Sequence, residues 1–331
     1  MSSKHTVTRI DLEAPGSIAA REAEKSIFGH YDLNYHEHYI HLEEPDLRLR
    51  VLEVGSGQPL IIVPGGAGDA WTFAPLMAEL DGWRMIAINR PGGGLSDGID
   101  NRQVDLKRLA SDTIRTVADY FEMDIFPIIC NSMGGLWSAW FTLEHPDRVS
   151  LMVQMGCPAL ALGTSAPGFM RLLGVPGVNR FIAPMIQPDN VQSALDGLKT
   201  QGSYQRDIDR LPVEFAEAAY HFWQLPTYLD QWKTLIAAVT TITGANPKYA
   251  LTAGQLAQIQ QPMQIIWGEN DVFGDLAVAH EMERVIPNAR LHEMDTGHLP
   301  FIDQPEETGR VISQFLAQET AVSEAEPAIT G

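Results

Sequence analysis

The feature that most constrains this chain is a repeated unit, in which a short apolar run empties into a turn of small residues and a segment with helical spacing follows. Leu60-Ile61-Ile62-Val63 runs into Pro64-Gly65-Gly66, Met85-Ile86-Ala87-Ile88 into Asn89-Arg90-Pro91-Gly92, and Ile128-Ile129-Cys130 into Asn131-Ser132-Met133-Gly134-Gly135. Uninterrupted apolar runs belong to strands covered on both faces, and the intervening helices supply the covers. An α/β fold with a mostly parallel sheet is therefore expected. Strands are placed at His38–Glu43, Leu47–Val54, Leu60–Pro64, Arg84–Asn89, Ile125–Cys130, Ser150–Gly156, Met263–Gly268 and Arg290–Glu293. Glu44-Pro45-Asp46 is too short for a crossover helix, so the first two strands pair antiparallel. Leu106, Leu109, Ala110, Ile114, Val117, Tyr120 and Phe121 recur at three and four residues and give one helix an apolar stripe for the sheet.

Between Ala159 and Ile259 the strand-like runs vanish, and helical stretches broken by Pro and Gly take over. A crossover needs a single helix, so a block of this length reads as an inserted lid. The expected division is an N-terminal extension (1–37) with an exposed helix at Ser17–Phe28, a core in two pieces (38–158 and 259–318), a helical cap (159–258) and a mobile, acidic tail (319–331). The net charge of −19 disfavours a phosphate backbone as partner, and no basic stripe offsets it. Cys130 and Cys157 are too few for a disulfide framework. The stretch Met1–Gly16 lacks an apolar export segment, and no run of about 18 apolar residues occurs, so a soluble, cytoplasmic protein with no membrane partner is expected.

The chemistry concentrates at the run ends. A serine at a tight strand-to-helix turn has its Oγ lifted above the sheet edge, and Ser132 occupies that position, with the N–H of Met133 aimed at the oxygen of whatever Ser132 attacks. An alcohol needs a base within reach, and the base needs a carboxylate to fix its tautomer. Asp271, in the turn after Ile265-Ile266-Trp267-Gly268, and His298, in the loop after Met294, supply those roles, at the strand ends where open α/β sheets place their sites. Gly66, in the glycine-rich loop after Val63, offers the second oxyanion donor. That loop lacks the Gly-Lys-[Ser/Thr] of a phosphate cradle. The second glycine cluster, Asn89 to Ser96, is taken as packing beneath the site.

These segments resemble the α/β-hydrolase superfamily over about Tyr39–Phe315: Pro64-Gly65-Gly66 at the oxyanion loop, Asn89-Arg90-Pro91-Gly92-Gly93-Gly94-Leu95-Ser96 where the family often has D-x-R-G-x-G-x-S, the Ser132 elbow, Gly268–Asp271, and Gly297-His298. The resemblance implies an eight-stranded sheet with its second strand antiparallel and a helical cap after the sixth strand. The chain departs from the pattern at Pro64, where a histidine is usual, at Asn89, for an aspartate, and at Cys130, for the first glycine of G-x-S-x-G. Asn131-Ser132-Met133-Gly134-Gly135 also looks like the elbow of the meta-cleavage-product C–C hydrolases, although Leu299-Pro300-Phe301 after the histidine lacks the aromatic usual there.

The function expected is a serine hydrolase that cleaves a small, fairly apolar ester or lactone without a cofactor. Its alternatives are a C–C hydrolase of the meta-cleavage-product type and a hydrolase-fold protein that only binds a ligand. Met133, Trp223 and Tyr228 are the candidates for the substrate pocket, although aromatics at such spacings on cap helices are more often packing. Against each rival stands a plainer reading: Cys130 as a small buried hydrophobe, Glu269 and Asp275 as solvated charge, His292 as a strand residue. His30, His36, His38 and His41 lack the ligand spacing of a metal site.

Overall fold

The structure, a computed structural model, describes residues 6–66, 69–175 and 177–325. Its centre is a sheet of eight strands: β1 (Tyr35–Leu42), β2 (Leu47–Gly55), β3 (Gln58–Val63), β4 (Trp83–Ile88), β5 (Phe126–Asn131), β6 (Val149–Met155), β7 (Met263–Gly268) and β8 (Ala289–Met294). They lie in the order β1-β2-β4-β3-β5-β6-β7-β8. As the short Glu44-Pro45-Asp46 link requires, β1 and β2 are antiparallel, and β2 is antiparallel to β4 as well, while β3 to β8 run parallel. Val63 pairs with Cys130 and Asn131 with Met155, so the ends of β3, β5 and β6 are level and their loops open on one edge.

The run residues divide by parity, as strand geometry demands. Ile61, Val63, Ile86, Ile88, Ile128 and Cys130 join one buried cluster, whereas Leu60, Ile62, Met85, Ala87 and Ile129 join another. The first is covered by α2 (Leu106–Tyr120) and α3 (Met133–Glu144), through Leu109, Ile114, Leu136 and Trp137. The second is covered by α1, the N-terminal helix (Pro15–His30), through Ile27 and Phe28, and by the last helix (Pro305–Ala325), through Ile312 and Phe315.

Three expectations are corrected. The N-terminal helix is not fully exposed: Ser17, Ala20, Ala23, Glu24, Ile27 and Phe28 are buried, and both Glu24 oxygens accept from Arg50 on β2. Strand β1 begins at Tyr35, three places ahead of the expected His38, because Tyr35 packs its ring on Phe28 (centroids 4.6 Å). The last helix runs on to Ala325 where a mobile tail from 319 was expected. Its buried Val311, Ile312, Phe315 and Leu316 dock it, and Thr320 donates to the Leu316 carbonyl (2.8 Å). The remainder of that tail, 326–331, lies outside the described residues.

Between β6 and β7 lie helices over Val191–Lys199, Val213–Trp223 and Tyr228–Val239, several shorter ones, and a two-residue antiparallel pair, Thr240–Thr241 with Gly244–Ala245. Among the described residues no helix is long and apolar enough to cross a membrane.

The junction of β3 and α3 leaves no room for a side chain at Gly134, where a Cβ would stand 1.9 Å from the Val63 carbonyl oxygen. Gly134→Ala is therefore expected to lower stability by about 1–3 kcal/mol through forced backbone displacement, read as a shift of the urea midpoint. An unshifted midpoint would show that the two backbones are free to part.

Candidate active site

Ser132 links β5 to α3 with φ +52° and ψ −116°. For a residue with a Cβ such a conformation costs about 1–3 kcal/mol and persists only where the surroundings impose it. Here they do. The Asn131 side chain donates to the carbonyls of Met155 (2.8 Å) and His298 (3.2 Å), and the Ser132 carbonyl accepts from Leu136 (3.2 Å) and Ala159 (3.1 Å). Met133 opens α3, where a backbone N–H has no partner within the helix.

His298 and Asp271 meet behind that turn. Nδ1 of the imidazole lies 2.7 Å from Asp271 Oδ2, and both side chains are buried. The same Oδ2 accepts from the Cys157 N–H (2.7 Å), and Oδ1 accepts from the Phe273 N–H (2.8 Å), so the carboxylate is held in one orientation. Gly156, at φ +62°, is the close approach that permits this, since a Cβ there would stand 2.9 Å from His298 Nδ1. The Phe273 ring packs on the imidazole (centroids 4.3 Å). With Nδ1 donating to a carboxylate, the tautomer is fixed and Nε2 carries the free lone pair. Nε2 is buried without a hydrogen-bond partner among the described residues, so no hydrogen bond joins it to Ser132. The Asn131 bond to the His298 carbonyl ties the loop of His298 to the turn of Ser132.

A cavity of about 340 Å³ opens over the turn, and Gly66, Ser132, Met133, Trp223 and Tyr228 all line it. The five residues expected at the oxyanion hole, nucleophile and pocket thus share one space. Gly66 and Met133 approach closely, with a Cβ built on Gly66 standing 3.7 Å from Met133 Cβ. Asp196 is the one charged residue among the described lining residues, and it is engaged by Lys199 (2.7 Å).

The rival residues go elsewhere. Cys130 is buried, bonded to the Val153 carbonyl and Gln154 (both 3.3 Å), and burial pushes its thiol up to about 12, which removes it as a nucleophile at neutral pH. Asp275 accepts from the Val278 N–H as a helix N-cap, Glu269 is exposed, and His292 pairs with Glu307 (3.3 Å). The N-terminal histidines disperse, with His30 beside Glu214, His38 beside Glu53 and His41 beside Asp46.

Several supporting residues are visible in the fold alone. Phe273 and the Cys157 amide steady the Asp271–His298 pair, and Asp303 accepts from the Gly297 N–H (2.9 Å), anchoring the loop one residue before His298. Arg90, expected within a packing loop, donates to the carbonyls of Pro64, Gly65 and Gly66. A charged residue between an apolar run and a proline was the signal available for it.

Comparison with known proteins agrees with this fold. A family model described as alpha/beta hydrolase fold matches residues 58–305. A 2-hydroxy-6-oxononadienedioate/2-hydroxy-6-oxononatrienedioate hydrolase of Escherichia coli is 27% identical over 292 residues, covering 85% of this chain and 95% of that protein. Among solved structures, a carboxylesterase from Bacillus subtilis superposes with a TM-score of 0.69 at 15% identity, covering 92% of this chain and 99% of the other. A meta-cleavage product hydrolase from Pseudomonas fluorescens superposes with a TM-score of 0.68 at 20% identity, covering 85% and 97%.

Burial raises the Asp303 carboxyl to about 6, against the partial relief of its hydrogen bonds. A carboxyl raised on folding binds its proton more tightly in the native state, so its contribution to stability is fully present below about pH 4 and is lost as pH rises from there through 6. Asp303→Asn keeps an acceptor for Gly297 and removes the titration. The difference in unfolding free energy between variant and parent is expected to move in the variant's favour from pH 4 to 7, by about 1–3 kcal/mol. A pH-independent difference in urea titrations would contradict that.

Proposed function

This chain belongs to the alpha/beta hydrolase fold family, and from that premise we propose that it is a serine hydrolase of a small, largely apolar carboxylic ester or lactone, acting through an acyl-enzyme on Ser132. In this reading Ser132 Oγ turns to His298 Nε2, a hydrogen bond that tightens when substrate fills the pocket. Oγ attacks the carbonyl carbon as its proton passes to Nε2, and the oxyanion is received by the Met133 and Gly66 amides. Collapse of the tetrahedral intermediate breaks the acyl–oxygen bond, and the leaving alkoxide takes the proton from Nε2. Water then attacks the acyl-enzyme by the same route and restores Ser132. Asp271 holds Nδ1–H and stabilises the imidazolium formed in each half-reaction.

The observation that carries the ester reading is the lining of the cavity. A carboxylated substrate desolvated in such a space requires a cationic partner. The described lining residues include no lysine, arginine or histidine, and their one charge, Asp196, is negative. The net charge of −19 acts in the same direction at long range. A neutral acyl compound is the substrate class such a site accepts.

The similarity to the Escherichia coli dienedioate hydrolase favours a second reading, cleavage of a C–C bond in a vinylogous diketone with the same three residues. Parallel assays on p-nitrophenyl esters, simple lactones and a meta-cleavage dienoate separate the two. Turnover of an ester or lactone is expected to exceed that of the dienoate, and a dienoate preference would reverse the order. In either case Ser132→Ala is expected to cut kcat by about four orders of magnitude with an unchanged circular dichroism spectrum. A folded Ser132→Ala variant of near-parental activity would remove Ser132 from the mechanism.

A further inference from the structure

Both donors of the oxyanion hole are backbone N–H groups, and one of them belongs to the Gly65–Gly66 peptide. Two glycines in succession leave that peptide plane with the widest rotational freedom the backbone has. A hole of useful strength needs its donors fixed before charge develops. Something must therefore hold the plane.

Arg90 is placed to do so. Its side chain is buried at the end of β4 and does not line the cavity over Ser132. Nε donates to the Pro64 carbonyl (3.1 Å), and Nη2 donates to the carbonyls of Gly65 (2.5 Å) and Gly66 (2.9 Å). In a trans peptide the C=O and the N–H point in opposite directions. Fixing the Gly65 oxygen toward the guanidinium therefore fixes the Gly66 N–H away from it. The same guanidinium lies over the Trp137 ring, 5.2 Å from its centroid. Trp137 rides α3 four residues after Met133, whose N–H is the other donor. One rigid, planar cation thus touches the loop that carries one donor and the helix that carries the other.

We propose that Arg90 is the positioning residue of the oxyanion hole, holding the carbonyls of Pro64, Gly65 and Gly66 and stacking on Trp137 so that the Gly66 and Met133 amides converge on one point. The inference rests on the serine-hydrolase reading of Ser132. Its electrostatics reinforce the geometry. Burial lowers the guanidinium to about 10, so it stays protonated at neutral pH. Of the titratable groups that face it, Asp69 is raised by burial to about 7 and the Tyr228 phenol is raised further. The positive charge is therefore only partly offset at neutral pH. Through the carbonyls it polarises, that charge strengthens the N–H donors on the far side of each peptide.

The test uses the full chain with Arg90→Met, which keeps bulk and removes the charge, and Arg90→Lys, which keeps the charge and loses the planar fork. Four readouts are taken: kcat and KM on the best ester, the rate of Ser132 phosphonylation by a fluorophosphonate, the affinity for a boronic acid that mimics the tetrahedral adduct, and the thermal midpoint. For Arg90→Met, kcat and the phosphonylation rate are expected to fall by about 100-fold, with boronic acid affinity falling alongside and KM within about threefold. Arg90→Lys is expected to recover part of each. A folded Arg90→Met variant that keeps both rates within threefold overturns the proposal, as does a loss carried wholly by KM. If Arg90→Met does not fold, Arg90→Lys decides: kcat at least tenfold down at an unchanged thermal midpoint supports the proposal, and parental kcat overturns it. Failure of the wild-type protein to be phosphonylated at Ser132 sinks the serine-hydrolase reading instead, so the two failures are distinct.

Discussion

A carboxyl group taken out of water must have its oxygens matched by hydrogen-bond donors, because each one left unpaired carries its full desolvation cost. Asp271 meets that demand with three donors from three segments, namely the His298 imidazole, the Cys157 amide and the Phe273 amide. Each donor comes from a loop that leaves the same edge of the sheet. The segment after β6 is drawn to the turn after β7, and the loop after β8 is drawn over both. The Asn131 side chain extends the arrangement to β5, because its bonds reach Met155 and the His298 carbonyl. Orientation of the His298 ring and of the strained Ser132 turn therefore depends on one buried set of hydrogen bonds.

Close backbone approach is the second condition, and it explains where the glycines stand. At Gly134, Gly156 and Gly268 a Cβ would come within 2.4 Å of a backbone oxygen, from Val63, His298 and Gly297 respectively. All three positions lie at or just beyond the carboxyl ends of adjoining strands. The same tightness recurs at the link between β2 and β3, where a Cβ on Gly55 or Gly57 would stand 2.4 Å or 2.0 Å from the carbonyl oxygen of Trp83 or Gly82, so side chains are absent wherever strand junctions bring backbones this close.

The sheet was legible because its signal is local. Parallel strands covered on both faces must be apolar along their whole length, and Leu60–Val63, Ile128–Cys130 and Ile265–Trp267 are. The elbow was legible for the same reason, being a contiguous strand–turn–helix segment, and the order Ser132, Asp271, His298 placed each side chain at a strand end. What escaped were residues whose partners are distant or carry no sequence identity. Glu24 reads as helix surface until Arg50 is seen beside it, and its burial is what turns an exposed helix into a packed one. Arg90 bonds to carbonyl oxygens, which every residue possesses, so nothing in the residues at 64–66 announces that a cation holds them. Asp303 likewise acts through the amide of Gly297.

The roof of the pocket and the oxyanion loop are joined through the helix Tyr228–Val239. Tyr228 lines the cavity and also faces Arg90 and Asp69. One turn along, Gln231 accepts from Asn101 (2.9 Å) and donates to the Ile99 carbonyl (2.6 Å), and it fills the space a Cβ on Gly92 would occupy. Gly92 follows Arg90 by two residues. The helix that lines the cavity is thereby bonded to the segment that carries Arg90, through half-buried contacts of Gln231. On the proposed serine-hydrolase reading, a roof attached in this way would hold the acyl group in register with the two amides while the loop keeps its shape, which is the preorganisation that electrostatic stabilisation of an oxyanion requires.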